Sequence, residues 1–92
     1  MNKVDWERPL NEDEKEFKAM VTDHLPAIVC RTEIAKLTGG WLTLNTIKKD
    51  DSNGTGPRKR FTSGRKVLYR RDDLIEYGIR RFGLVEIKGI AA

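Results

Sequence analysis

Apolar and polar positions along the chain repeat first with the period of a helix. An apolar stripe at i, i+3, i+4 and i+7 predicts one helix over residues 12–24. Its members are Phe17, Met20, Val21 and His24. Asn11 and Glu14 have capping-box spacing, in which side chain and backbone satisfy each other at a helix start. Leu25-Pro26 ends this helix, because the residue before a proline avoids the helical conformation.

The next segment predicts two short helices separated by a glycine turn. Residues 27–29 are apolar and predict a short extended piece. Thr32 is the expected N-cap of a helix over residues 33–38, and Gly39-Gly40 ends that helix by supplying positive φ. Thr43 is the expected N-cap of a third helix, which runs from about residue 44 to residue 51. Two short helices joined by such a turn are typical of a helix-turn-helix.

A β-hairpin and a last helix follow a loop at residues 51–57, which combines Asp, Ser, Asn, Gly and Pro. Residues 58–62 and 66–70 are strand-like, and a glycine turn joins them. The hairpin side chains expected to face the body are Phe61, Val67 and Tyr69. The last helix is predicted to begin at Arg71 or Asp72 and to end at Gly83. Its apolar positions at helical spacing are Leu74, Ile75 and Ile79.

Length and composition indicate one small domain. The chain has 92 residues, of which 38% are hydrophobic and 35% charged, and this is too short for a second core or a large multi-step enzyme. We predict a mostly helical α+β fold, in which an N-terminal helix is added to a helix-turn-helix with a two-stranded basic β-hairpin. Residues 1–10 are expected to be a loose arm, 11–83 the domain, and 84–92 a tail that is an edge strand or a loose end.

Positive charge is concentrated in the middle of the chain. The formal net charge of +4 divides into −3 over residues 1–29, +8 over residues 30–71 and −1 over residues 72–92. A basic middle flanked by acidic ends is typical of a surface that binds a polyanion. A merely solvated charged surface is the alternative interpretation of the same pattern.

Few residues are candidates for catalysis or metal binding. His24 is the only histidine and Cys30 the only cysteine, so an internal disulfide and a Cys-rich zinc site are excluded. Gly54-Thr55-Gly56 lacks the lysine and helix of a phosphate-binding loop. We expect no enzyme activity, no cofactor and no metal. No stretch approaches the ~20 apolar residues of a membrane span, so we expect a cytoplasmic, nucleoid-associated protein with no membrane partner.

Four segments together resemble a known family. The segments are Gly39-Gly40, Asp51-Ser52-Asn53-Gly54-Thr55-Gly56-Pro57, Gly64-Arg65-Lys66-Val67-Leu68-Tyr69 and Asp72-Asp73-Leu74. Their order resembles the winged helix-turn-helix of small prophage excisionases and of phage-type regulators related to the MerR DNA-binding domain. The likeness covers about residues 25–82. Excisionases of this kind bind and bend DNA at an attachment site and direct a recombinase toward excision, whereas related regulators act at promoters.

The resemblance implies two sets of DNA-binding residues. The recognition helix would contribute Thr43, Asn45, Thr46, Lys48 and Lys49. The hairpin, as the wing, would contribute Arg58, Lys59, Arg60, Ser63, Gly64, Arg65, Lys66 and Arg70. Basic side chains of the wing can neutralise phosphates, while polar side chains of an inserted helix can reach base edges. Asp50 and Asp51 would repel phosphates, so we expect them on the far side of the helix or at its exit.

Two function classes follow from this pattern. The first is sequence-specific binding of double-stranded DNA, either as an excisionase-like recombination directionality factor or as a small transcriptional regulator. Its partners would be DNA and an integrase or recombinase, or further copies of the chain on DNA. The second is a non-enzymatic adaptor that presents its basic face to an acidic protein. Steep salt dependence with duplex DNA would favour the first class.

Overall fold

Residues 4–87 are described by a computed structural model, in which helices pack on one face of an antiparallel sheet. The helices of this part of the chain are α1 (Glu12–Thr22), α2 (Ile34–Leu37), α3 (Leu44–Ser52) and α4 (Arg71–Phe82). The strands are β1 (Ile28–Cys30), β2 (Arg60–Ser63) and β3 (Lys66–Arg70). A 3₁₀ turn, Arg31–Glu33, directly precedes α2. The predicted α+β class is confirmed.

The predicted capping box of α1 is confirmed. The Glu14 backbone N–H donates to Asn11 Oδ1 at 2.8 Å, and the Asn11 N–H donates to Glu14 Oε1 at 2.9 Å. The predicted apolar stripe is wrong at Met20, which is 59% exposed, and at His24, which is exposed and lies after the end of α1. Phe17 packs edge-on against Trp41, with ring centroids 5.1 Å apart. α1 ends at Thr22, two residues before the predicted end.

The start of the second helix differs from the prediction. Thr32 lies inside the 3₁₀ turn and caps nothing, and α2 begins at Ile34 without a side-chain cap. The reason is that β1 holds the backbone extended as far as Cys30, so only three residues remain for the turn into α2. The predicted glycine stop is confirmed, since Gly39 and Gly40 have φ of 63° and 87°. The Thr43 cap is confirmed as well: its Oγ1 accepts from the Thr46 N–H at 3.4 Å.

The sheet has a third strand that the hairpin prediction lacked. Its order is β1-β3-β2, because the extended piece at residues 28–30 pairs antiparallel with β3 as well. The predicted hairpin of β2 and β3 is present and turns at Gly64, whose φ is 63°. The two-stranded wing of the prediction is therefore one part of a three-stranded sheet.

Strand register corrects the expected orientation of Phe61. Side chains directly opposite each other in an antiparallel pair share one face of the sheet. Phe61 is opposite Leu68, so it lies on the other face from Val67 and Tyr69. Tyr69 is fully buried and Val67 is partly buried as predicted, whereas Phe61 is 41% exposed.

The core lies between the inner face of the sheet and the four helices. Its buried members are Leu25, Val29, Ile34, Leu42, Ile47, Tyr69, Leu74, Ile75, Tyr77 and Ile79. α4 begins at Arg71 and ends at Gly83, whose φ is 78°, as predicted. Gly78 lets α4 approach the Trp41 ring closely, because a Cβ there would lie 2.5 Å from Trp41 Cη2.

The sequence predicts a loose arm for residues 1–10, whereas the described part of this segment, residues 4–10, contacts the rest of the domain. Arg8 forms a salt bridge with Glu14 at 3.0 Å. Trp6 lies under the guanidinium of Arg58, 4.5 Å from the ring centroid, and Arg80 Nη1 donates to the Asp5 carbonyl at 2.8 Å. In the predicted tail, residues 84–87 form no regular element, and residues 88–92 lie outside the described residues.

Candidate nucleic-acid interface

α3 presents two chemically different faces. Residues 45, 48 and 49 are at i, i+3 and i+4, so Asn45, Lys48 and Lys49 share one side of the helix. All three are exposed. The other side carries the residues of α3 that are buried, namely Ile47, Asp50 and Asp51. The helix therefore shows positive charge and amide groups to solvent, while its carboxylates point into the molecule.

Asp51 connects α3 to the sheet and to the 3₁₀ turn. Its Oδ2 accepts a hydrogen bond from Arg31 Nη2 at 2.7 Å and another from the Tyr69 hydroxyl. Its Oδ1 accepts from Arg60 Nη1 at 3.2 Å. Burial raises the pKa of Tyr69 to about 12, and the hydrogen bond to Asp51 acts in the same direction. This buried carboxylate is satisfied by two guanidinium groups and one hydroxyl.

Asp50 connects α3 to α4 by similar hydrogen bonds. Its Oδ2 accepts hydrogen bonds from the Tyr77 hydroxyl and from Arg81 Nε, the latter at 3.0 Å. Burial raises the pKa of Tyr77, and the hydrogen bond to Asp50 adds to this. We expected the two aspartates on the far side of α3 or at its exit. They lie at its exit on the inner side, where each carboxylate holds one tyrosine and at least one arginine.

The loop after α3 is shaped by Asp51. A Cβ at Gly56 would lie 2.0 Å from Asp51 Oδ1 and 3.2 Å from Asp51 Cα, so any side chain there would collide with the carboxylate. Gly56 and Pro57 are both buried, so this end of the loop packs against the rest of the domain. The second glycine of the Gly-x-Gly-Pro sequence therefore accommodates a structural carboxylate.

A basic groove lies between α3, the 3₁₀ turn and the hairpin turn. Its cavity is about 260 Å³. The lining side chains of this basic groove are Cys30, Arg31, Thr32, Leu44, Lys48, Arg65, Lys66 and Val67. Four of these residues are cationic and none is acidic. The structure therefore brings together one cation of the predicted recognition helix, Lys48, and two of the predicted wing, Arg65 and Lys66.

One side of the basic groove carries a hydroxyl and a thiol. The Cys30 Sγ and the Thr32 Oγ1 lie 3.5 Å apart and share a hydrogen bond. This bond lowers the pKa of the Cys30 thiol, and the charge of Lys66 acts in the same direction. Cys30 is only partly buried and therefore accessible from the groove.

Three predicted wing cations have partners inside the molecule instead. Arg58 stacks on Trp6, Arg60 pairs with Asp51, and Arg70 pairs with Asp73 at 2.7 Å. All three arginines are nevertheless exposed. The remaining predicted wing residues, Lys59, Ser63 and Gly64, are exposed and do not line the groove.

The predicted residues at the start of α3 have a local structural role. Thr43 and Thr46 hydroxyl oxygens lie 3.0 Å apart, and Thr43 also caps the helix. Thr43 and Asn45 are exposed and Thr46 is half-buried. Asn45 and Lys49 face solvent beside the basic groove without lining it.

Five of the eight described residues that line the groove lie outside the predicted site, and two of these five, Arg31 and Thr32, carry polar side chains suited to phosphate. Arg31 was counted only in the basic middle of the chain, and Thr32 was interpreted as a helix cap. A signal was present, since both residues come directly before the first helix of the predicted helix-turn-helix. The sequence pattern did not show that β1 pairs with β3, and this pairing brings the 3₁₀ turn beside Lys66.

The chain matches no known protein family, no curated protein and no solved structure. Among residues 4–87, no helix combines the length and apolar character needed to cross a membrane. The case for a function therefore depends on the geometry and charge of the described surface.

Proposed function

We propose that the protein binds double-stranded DNA in a sequence-specific way, without catalysis, through a winged helix-turn-helix. In this proposal α2 and α3 form the helix-turn-helix and the hairpin of β2 and β3 is the wing. The observation that supports it most directly is the basic groove, in which Lys48 of α3 meets Arg65 and Lys66 of the hairpin turn and no acidic residue is among the described lining residues. Arg31 of the 3₁₀ turn also lines this groove, and its charge is paired with the buried Asp51.

The dimensions of α3 suit the major groove of DNA. An α-helix with its side chains is about 10–12 Å in diameter, and the major groove is about 12 Å wide, so a helix such as α3 fits into it. The exposed side of α3 offers the amide of Asn45, which can pair with adenine, and the ammonium groups of Lys48 and Lys49, which suit guanine or phosphate. Because Asp50 and Asp51 are buried in ion pairs, the exposed side of this helix carries no charge that repels DNA.

Phosphate contacts would come from the hairpin turn and from the 3₁₀ turn. Arg65 and Lys66 stand at the tip of the hairpin, and each neutralised phosphate releases condensed counterions, which gives affinity without sequence information. Thr32, which also lines the groove, adds a hydroxyl donor, a common phosphate ligand.

Selection from a random duplex library tests this proposal. The enriched and unenriched duplexes would then be titrated at two salt concentrations. We expect a recovered motif that is bound at least about a thousandfold more tightly than random duplex. Salt-sensitive binding without a motif would overturn sequence specificity. No binding at either salt concentration would overturn DNA binding and favour the adaptor with an acidic protein partner.

Alkylation of the single cysteine tests where DNA binds on the protein surface. Cys30 lines the basic groove, so saturating duplex should slow its alkylation by a thiol reagent, and added salt should restore the rate. Alkylation at the same rate with and without bound DNA would place the DNA elsewhere. Recovered sites beside an integrase gene would indicate recombination, and sites at a promoter would indicate transcriptional regulation.

A further inference from the structure

An apolar trough separates α1 from α2 and from the residues that follow α4. It consists of two cavities of about 190 and 420 Å³, and Phe17 and Leu84 line both of them. Val21, Leu37 and Trp41 complete its floor in the larger cavity. We refer to this apolar surface, together with the acidic residues on its rim that are described next, as the acidic trough.

The rim of the acidic trough carries only negative charge. Asp13, Glu16 and Glu86 line the smaller cavity, and in the part of the chain that the structure describes no Lys or Arg lines either cavity. Among residues 4–87 none of these three carboxylates takes part in a salt bridge. Apolar side chains are exposed beside them: Met20 is 59% exposed and Val85 is 86% exposed. Water therefore contacts an apolar surface that is bordered by like charges.

We propose that the acidic trough binds a basic amphipathic helical segment of another protein. The apolar side of such a segment would cover Met20, Val85 and the edge of Trp41, and burial of this area supplies the affinity. Its Lys or Arg side chains would reach Asp13, Glu16 and Glu86, which selects a basic partner over an acidic one. Nucleic acid does not fit here, because phosphates would face three carboxylates.

Among the described residues, none lines both the acidic trough and the basic groove. Binding at one surface therefore leaves the other accessible, and the protein would connect DNA to a second protein. Peptide binding at the trough does not require DNA binding, since the described lining of the trough comes from α1, Leu37, Thr38, Trp41 and residues 84–86. The proposal assigns a role to α1, which is outside the segment that resembles the excisionase family.

Three synthetic peptides test the acidic trough in the full chain. The first is an amphipathic Leu/Lys helix of about 15 residues, the second has the same composition in a scrambled order, and the third has Glu in place of Lys. Binding is measured by fluorescence anisotropy of the labelled peptide. We expect binding by the first peptide only. Equal binding by the scrambled peptide or by the Leu/Glu peptide would overturn the proposal.

Variants then locate the peptide on the surface. Asp13→Lys combined with Glu16→Lys should weaken binding about tenfold, because two attractive contacts become repulsive. Met20→Asp should weaken it to a similar extent by placing a charge on the apolar surface. The matched control is Glu12→Lys, since Glu12 is 95% exposed on the same helix and lines neither cavity.

Equal weakening by Glu12→Lys would show a non-specific charge effect and overturn the proposal. Concentration-dependent self-association that Met20→Asp abolishes would make a second copy the occupant, which also overturns it. Peptide binding is measured with and without duplex DNA, so failure of the trough and failure of DNA binding are separate results.

Discussion

Tyr69 of β3 donates a hydrogen bond to the carboxylate of Asp51 at the end of α3, 18 residues earlier in the chain. Both side chains are buried, and Arg31 contacts both of them, with Nη2 2.7 Å from Asp51 Oδ2 and Nε 3.0 Å from the Tyr69 hydroxyl. The arrangement fixes α3 relative to the hairpin. The proposed major-groove element and the proposed wing are therefore held by one carboxylate.

Asp51→Ala should lower the free energy of unfolding by about 3–5 kcal/mol, because Arg31 and Tyr69 lose their buried partner. Tyr69→Phe should cost less, about 1–2 kcal/mol, since one hydrogen bond is lost and the ring remains. Urea denaturation monitored by circular dichroism measures both values. Asp13→Ala, an exposed carboxylate, is the control and should stay within about 0.5 kcal/mol of the natural chain. An equally small effect of Asp51→Ala would contradict the role of Asp51.

Gly78→Ala should destabilise the protein by about 1–3 kcal/mol, although alanine is the better helix former. The added Cβ would lie 2.5 Å from Trp41 Cη2 and 3.0 Å from Leu42 Cδ2. Thermal unfolding measures the loss. Trp41→Phe removes the six-membered ring that collides, so Gly78→Ala should be less costly in that background. Strict additivity of the two substitutions would show that the close approach has no energetic consequence.

Stability should decrease in alkaline solution through the two tyrosines of the chain. The pKa of Tyr69 is raised to about 12 and that of Tyr77 is also raised, so both bind their protons more tightly in the folded state. Their stabilising contribution is complete below the ordinary pKa of about 10 and is lost as pH rises toward the folded-state values. Urea denaturation at about pH 8 and about pH 11 measures this loss.

The Tyr69→Phe chain is the control for the alkaline loss. It should lose less free energy of unfolding than the natural chain between these two pH values, because phenylalanine has no proton to release. The same loss in both chains would show that Tyr69 does not contribute to the pH dependence. Ultraviolet absorbance of tyrosinate gives an independent reading, since the chain contains only two tyrosines.

Arg65→Ala combined with Lys66→Ala should weaken binding to all duplexes and reduce the salt slope by about 1 to 2 units. The reason is that two phosphate contacts at the proposed wing tip are lost. Titration at several salt concentrations measures the slope. Lys15→Ala removes an exposed charge from α1 and should leave the slope unchanged. An unaltered slope in the double variant would exclude the hairpin turn from the interface.

Asn45→Ala should cost about 1–3 kcal/mol on the preferred duplex and almost nothing on random duplex. Asn45 is exposed on α3, so the substitution should leave thermal stability unchanged. Competition binding with the two duplexes measures the difference. Equal losses on both would mean that Asn45 contacts no base edge.

Local patterns in the sequence determined most of the elements and several of their ends. Asn11 and Glu14 cap α1 and Thr43 caps α3, as predicted. Gly64 and Gly83 end β2 and α4, also as predicted. These caps and ends could be predicted because they depend on side chains and φ values of residues close in sequence. The concentration of positive charge in residues 30–71 was also readable, and the basic groove is built entirely from that range.

The tertiary structure alone determined which strands pair and which charged side chains are buried. β1 joins the sheet through β3, 40 residues later, and this pairing displaces the start of α2 and brings Arg31 into the basic groove. Register turned Phe61 outward, and partners from four other elements (the 3₁₀ turn, β2, β3 and α4) surround the buried charges of Asp50 and Asp51. Burial of a charge depends on distant arginines and tyrosines that offset its desolvation, and no local pattern along the chain contains that information.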